Sequence, residues 1–140
     1  MYKKILIPTD GSEYSKKEAE KVPQLLQEGG EVIIVAVGKQ IKRTTFQWSK
    51  HVQDLNDEFL KEAQENANEM KKLFDENINI KTIAVNGFPA ETINEIAEKE
   101  NVELILISSS GKSGLKKLML GSVAEKLVAI TQKDILIIKS

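Results

Sequence analysis

The chain contains no cysteine. A disulfide framework, the usual mark of a small secreted domain, is therefore excluded, as is a thiolate metal site, and the composition fits a reducing interior. An excess of either charge is also missing: 20 Lys and Arg stand against 21 Asp and Glu, a net charge of −1. Nucleic-acid binding needs a clustered basic face, and none is visible. Long apolar runs are absent too. Ile5-Leu6-Ile7 is broken by Pro8-Thr9-Asp10-Gly11, and that run is too short for a membrane span or the core of an export signal. The expectation is a cytoplasmic protein, neither exported nor embedded by its own sequence. The only histidine, His51, and the only tryptophan, Trp48, fall in the polar stretch 39–51. It reads as a surface loop leading into a helix. With no repeat, low-complexity tract or Pro/Gly-rich linker, the 140 residues are expected to form one domain, 1–140, around one core.

What is present is an alternation of two patterns. Residues 5–7, 32–37, 104–107 and 135–138 are short apolar runs, as expected of parallel strands covered on both faces. A weaker strand over 78–85 alternates apolar with polar residues and belongs at an edge. Between the strands lie helical stripes. Leu55, Phe59, Ala63, Ala67, Met70 and Phe74 recur at steps of three or four, as do Ala90, Ile93, Ile96 and Ala97 after Pro89. Ala19, Val22, Leu25 and Leu26 suggest an earlier helix, which Pro23 should kink or shorten. Strands alternating with helices predict an α/β protein: a three-layer, Rossmann-like open sheet of five parallel strands with helices on both faces. Such sheets bind ligands beyond the carboxyl ends of their strands, where strand order reverses.

Two loops at those ends carry polar and small residues. After the fourth strand come Ser108-Ser109-Ser110-Gly111-Lys112-Ser113-Gly114 and then Gly121-Ser122-Val123-Ala124-Glu125, where backbone amides could converge on an anion near a helix start. A P-loop reading of Gly111-Lys112-Ser113 fails, because the required glycine five positions earlier is Leu106. Ser122 and Glu125 have the spacing of a capping box, as do Ser15 and Glu18. Asp10-Gly11-Ser12 is first of all turn chemistry. No nucleophile–base pair, paired carboxylates or metal-ligand cluster stands out.

With these segments in place, the chain resembles the universal stress protein family over nearly its whole length. Lys4-Ile5-Leu6-Ile7-Pro8-Thr9-Asp10-Gly11-Ser12-Glu13 is similar to that family's first strand and turn, and Gly87-Phe88-Pro89-Ala90 to the segment before its fourth strand. The last helix and strand, from Gly121-Ser122-Val123 to Ile138, complete the resemblance. The nucleotide-binding branch carries G-x2-G-x9-G-[ST] after the fourth strand. Gly111, nine intervening residues, Gly121 and Ser122 match its last three fixed positions, and Ser108 replaces the first glycine.

By position, the resemblance implies that Pro8, Thr9, Asp10 and Val37 flank an adenine and ribose. Ser108, Ser109, Ser110, Gly111, Lys112, Ser113 and Gly114, with Gly121, Ser122, Val123 and Ala124, would hold the ribose and phosphates of ATP. Mg²⁺ could be shared between the phosphates and Asp10. For Val37 core packing is the main alternative role, and for Lys112 a solvated surface position. The resemblance also implies strand order 3-2-1-4-5 and a homodimer joined through the C-terminal strand. Three functions stay open: a nucleotide-responsive regulatory dimer with an unidentified protein partner, an ATP-hydrolysing enzyme, and an interaction module of the same fold that has lost its ligand. Against the enzyme stands the scarcity of arginine, for Arg43 is the only one. Ser108 keeps the third in play.

Overall fold

The computed structural model describes residues 1–42, 49–109 and 120–139. Arg43, Trp48, Ser110, Gly111, Lys112, Ser113 and Gly114 lie outside the described residues. In chain order the elements are β1 (Tyr2–Pro8), α1 (Ser15–Lys21), a 3₁₀ turn (Val22–Gln24), β2 (Leu26–Gly38), α2 (Ser49–Lys71), β3 (Asn79–Asn86), α3 (Pro89–Lys99), β4 (Leu104–Ser108), α4 (Ser122–Ile130) and β5 (Asp134–Ile138). The strands form one sheet in the order β3-β2-β1-β4-β5, with every neighbouring pair parallel. The fold is the expected one, with β3 at an edge.

Strand periodicity divides the core in two. Ile5, Ile7, Val32, Ile34, Ala36, Leu104 and Leu106 pack on one face against Val22 and the α2 residues Ala63, Ala67 and Met70. Leu6, Ile33, Val35, Ile105 and Ile107 face the other way, onto Ala90, Ile93 and Ala97 of α3 and Ala124 and Leu127 of α4. Because successive strand residues point to opposite faces, each central strand must be apolar throughout. The chain leaves β1 for the β2 side and β4 for the β5 side, so a crevice opens between their carboxyl ends.

Three sequence expectations are corrected. Pro23 shortens the first helix rather than kinking it: α1 stops at Lys21, and Leu25 N–H closes a 3₁₀ turn on the Val22 carbonyl at 2.9 Å. Leu25 and Leu26 are therefore not helical. Leu26 instead opens β2, which starts earlier than residue 32 because Tyr2 pairs with Leu26 before the register shifts to Lys4 and Glu31. The extra residues include Gly29, whose φ of 77° is costly for any residue with a Cβ. The polar stretch also ends sooner than expected, since α2 begins at Ser49 and carries an exposed His51 on its first turn.

Candidate functional site

A cavity of about 310 Å³ opens where β1 and β4 diverge. That lies at the small end of the range of roughly 300–1,000 Å³ for small-molecule sites. Its walls are Pro8, Thr9 and Asp10 from the end of β1, Val35 and Val37 from β2, Ile107, Ser108 and Ser109 from β4, and Gly121, Ser122, Val123 and Ala124 at the start of α4. Ser12, Ser15 and Glu18 close it from the α1 side, and Pro89 and Ile93 from α3. Every described residue of the sequence-derived set thus meets in one cleft.

The β1 wall is knitted by its own side chains. Thr9 N–H donates to the Val35 carbonyl at 2.8 Å, extending the ladder one residue past β1. Its Oγ1 accepts Gly11 N–H at 3.2 Å and lies 3.3 Å from Ser15 Oγ. Asp10 Oδ1 accepts Ser12 N–H at 3.0 Å, the Asx geometry expected of a turn residue. Gly11 has φ of 80°, and a Cβ there would sit 2.6 Å from Asn66 Oδ1 of α2. Only glycine closes this turn without strain.

The opposite wall is built on Ser109. Its N–H donates to the Ile138 carbonyl of β5 at 2.8 Å, and its carbonyl accepts Gly121 N–H at 2.7 Å. Gly121 is thereby set as the extended N-cap of α4, with φ −60° and ψ 153°. Glu125 N–H closes the first helical bond on the Gly121 carbonyl. The amides of Ser122, Val123 and Ala124 consequently have no intrahelical acceptor and stand at the positive end of the helix dipole. The expected capping box at Ser122 and Glu125 is not formed, because Gly121 takes the cap position and no side chain caps the helix. What remains is a helix start whose first residues line the cavity.

The residue that sequence reasoning missed is Glu18. Its side chain is buried, with the whole residue only 4% exposed. Ser108 Oγ donates to Glu18 Oε1 at 2.6 Å, while Oε2 is buried with no hydrogen-bond partner among the described residues. Burial pushes the carboxyl up to about 7, the Ser108 hydrogen bond opposes the rise, and the charge of Asp10 adds to it. Strand alternation explains the pairing, since Ser108 shares the face of Leu104 and Leu106, beneath α1. The capping box expected of Ser15 and Glu18 is likewise overturned: Tyr14 holds the cap position, and the glutamate turns inward to Ser108. A signal was available. Glu18 falls at i−4 from Val22 and beside Ala19, on the buried stripe of α1.

These features define an open parallel α/β protein with a cleft at its strand reversal, lined by a buried carboxyl and by the first turn of α4. The chain belongs to the universal stress protein family, whose profile matches residues 1–139. It is 36% identical to universal stress protein MJ0577 of Methanocaldococcus jannaschii, over 99% of this chain and 96% of that one. The solved structure of MJ0577 superposes with a TM-score of 0.83 at 34% identity, covering 100% of this chain and 97% of the other. Two more distant structures share the fold. One is a universal stress protein in complex with cAMP (TM-score 0.60, 21% identity, 99% and 97% coverage). The other is the Archaeoglobus fulgidus protein in complex with dAMP (TM-score 0.57, 16% identity, 99% and 98% coverage).

Proposed function

We propose that this protein binds an adenine nucleotide, ATP by the motif resemblance, and acts as a regulatory protein whose surface or assembly responds to occupancy. The observation that carries this reading is the juxtaposition of the helix-start residues Ser122, Val123 and Ala124, whose amides have no intrahelical acceptor, with the apolar walls of Val35, Val37 and Ile107 in a single cleft. Apolar walls suit a base, and amides at a helix start suit phosphate. Two proteins of the same fold, solved with cAMP and with dAMP, support the ligand class. Pro8, Thr9, Asp10 and Val37 would flank base and ribose, and Ser108, Ser109, Gly121 and Ser122 the sugar and phosphates. Ser110, Gly111, Lys112, Ser113 and Gly114 would complete the phosphate side.

Among the described residues no group of three or more His, Asp or Glu is placed to hold a metal ion. Mg²⁺ would therefore arrive with the phosphates, with Asp10 at the rim as its protein-side neighbour. Among the described residues no helix is long and apolar enough to cross a membrane, and we place the protein in the cytoplasm as one domain spanning 1–140. The edge strand β5 is half-buried from Ile135 to Ile138, and Val128 and Ile130 are exposed on α4. An apolar edge of this kind favours pairing with a second copy, and a homodimer through β5 follows.

A second reading, an interaction module without a ligand, is favoured by the acidic Glu18–Ser108 pair where the family motif has a bare glycine. Protein purified without added nucleotide separates the two readings. Denaturation should release an adenine nucleotide, identified by chromatography and mass. No released nucleotide, together with no ATP binding up to about 1 mM, would establish the ligand-free module instead.

A further inference from the structure

We propose that Glu18 is the specificity-determining residue of this cleft: its carboxyl, held against Ser108, admits an anionic ligand only together with a proton. The inference rests on the nucleotide reading and goes further, because it ranks ligands by charge and sets the pH range in which they bind.

The geometry carries the argument. Glu18 lines the cavity that also holds the α4 amides. One carboxyl oxygen accepts from Ser108 Oγ at 2.6 Å, and the other is buried without a partner among the described residues. Among the described residues the neighbouring elements offer no counter-charge. From β4 come the hydroxyl residues Ser108 and Ser109, and from α2 the neutral Asn66 packs beneath the β1 turn. From the end of β1 comes Asp10, whose negative charge acts against ionisation of Glu18. Within α1 the charged residues Lys16, Lys17, Glu20 and Lys21 are exposed. Among the described residues an ionised Glu18 is thus a buried charge with donors from Ser108 alone and a like-charged neighbour.

A phosphate brought into the same cavity adds a second like charge. Like charges in one low-dielectric site favour the protonated carboxyl, so the complex holds its proton to higher pH than the free protein does. By linkage, affinity for anionic ligands falls as pH rises through neutrality. A neutral nucleoside escapes this coupling. Raising the pH therefore shifts relative affinity away from ATP and toward neutral nucleosides, and acidification reverses the shift.

The test uses two probes: cAMP, a phosphodiester with one negative charge that does not ionise near neutrality, and adenosine, which is neutral. Calorimetric titration of the full chain should show cAMP binding on the order of fivefold weaker at about pH 8 than at about pH 6. Adenosine should bind alike at both, and only cAMP should draw protons from buffer. In Glu18→Gln the cAMP dependence should disappear. The wild-type comparison of the two probes decides the matter even if that variant misfolds. Equal pH responses for cAMP and adenosine, or a cAMP response retained in folded Glu18→Gln, would overturn the proposal while leaving the nucleotide reading standing. Absence of binding by both probes at either pH would overturn this proposal, and the nucleotide reading falls with it only if ATP also fails to bind up to about 1 mM.

Discussion

Replacing Glu18 by glutamine should stabilise the protein, and by an amount that depends on pH. In the unfolded chain the carboxyl releases its proton near its ordinary value of 4.5, whereas burial in the folded protein holds that proton to about 7. Between these values the native state binds more protons than the unfolded state, so the contribution of Glu18 to stability falls as pH rises. Below the lower value ionisation costs nothing, and above the upper one the full penalty applies. The gap corresponds to about 3 kcal/mol, undiminished by solvent screening because the residue is only 4% exposed. Glutamine keeps the shape, can accept the Ser108 hydrogen bond through its carbonyl, and stays neutral. Its buried N–H₂ lacks an acceptor, as the protonated acid's O–H does, so that cost largely cancels. Urea unfolding of both proteins from about pH 5 to about pH 8 gives the difference directly. The two should agree within about 1 kcal/mol at the acid end and diverge to about 3 kcal/mol at the alkaline end, or about 10 °C in Tm. Parallel profiles across this range would refute the reasoning, because Glu18 would then ionise alike in folded and unfolded chains.

Three other outcomes follow from the same site. Gly121→Val should fold, because φ −60° and ψ 153° suit any residue, yet lose ATP binding by tenfold or more, on the order of 1.4 kcal/mol, as its side chain covers the α4 amides. Calorimetry showing unchanged affinity would remove the helix start from the site. Ser108→Gly should bind ATP about fivefold tighter, from relief of crowding and a more readily protonated Glu18, while losing about 2 kcal/mol of stability with the hydroxyl and the added chain freedom. Weaker binding in the folded variant would make the hydroxyl a ligand contact. Light scattering at tens of micromolar, a rough concentration at which a dimer of intermediate affinity assembles, should report a dimer, and a monomer would count against pairing through β5.

The α/β class and the covering of the sheet on both faces were readable in the sequence because the four apolar runs are continuous and buried strands have no other composition, whereas strand order and the walls of the cleft came from the family resemblance. The site's location followed, since the reversal between β1 and β4 fixes which loops meet. The failures share a cause. Ser15 and Ser122 have capping-box spacing, but local spacing does not say which residue takes the cap, and Ser109's carbonyl gives that place to Gly121 by holding its N–H. The start of β2 was hidden because Gln27, Glu28, Gly29 and Gly30 look like a turn, and only the pairing of Leu26 and Glu31 on either side of them with β1 draws them into the strand. Glu18 was overlooked because a glutamate on a short, charged helix is ordinarily solvated. Its burial follows from Ser108, which stands 90 positions away along the chain.

Ser109 places a single residue between the proposed ligand site and the proposed dimer edge. Its amide holds the last strand of the sheet through Ile138, and its carbonyl holds the N-cap of α4 through Gly121. Ligand at the α4 amides and a second copy along β5 would thus pull on the two peptide planes that meet at the Cα of Ser109. Whatever a nucleotide does to the affinity of one copy for another, assembly does to the affinity for nucleotide, by the same factor.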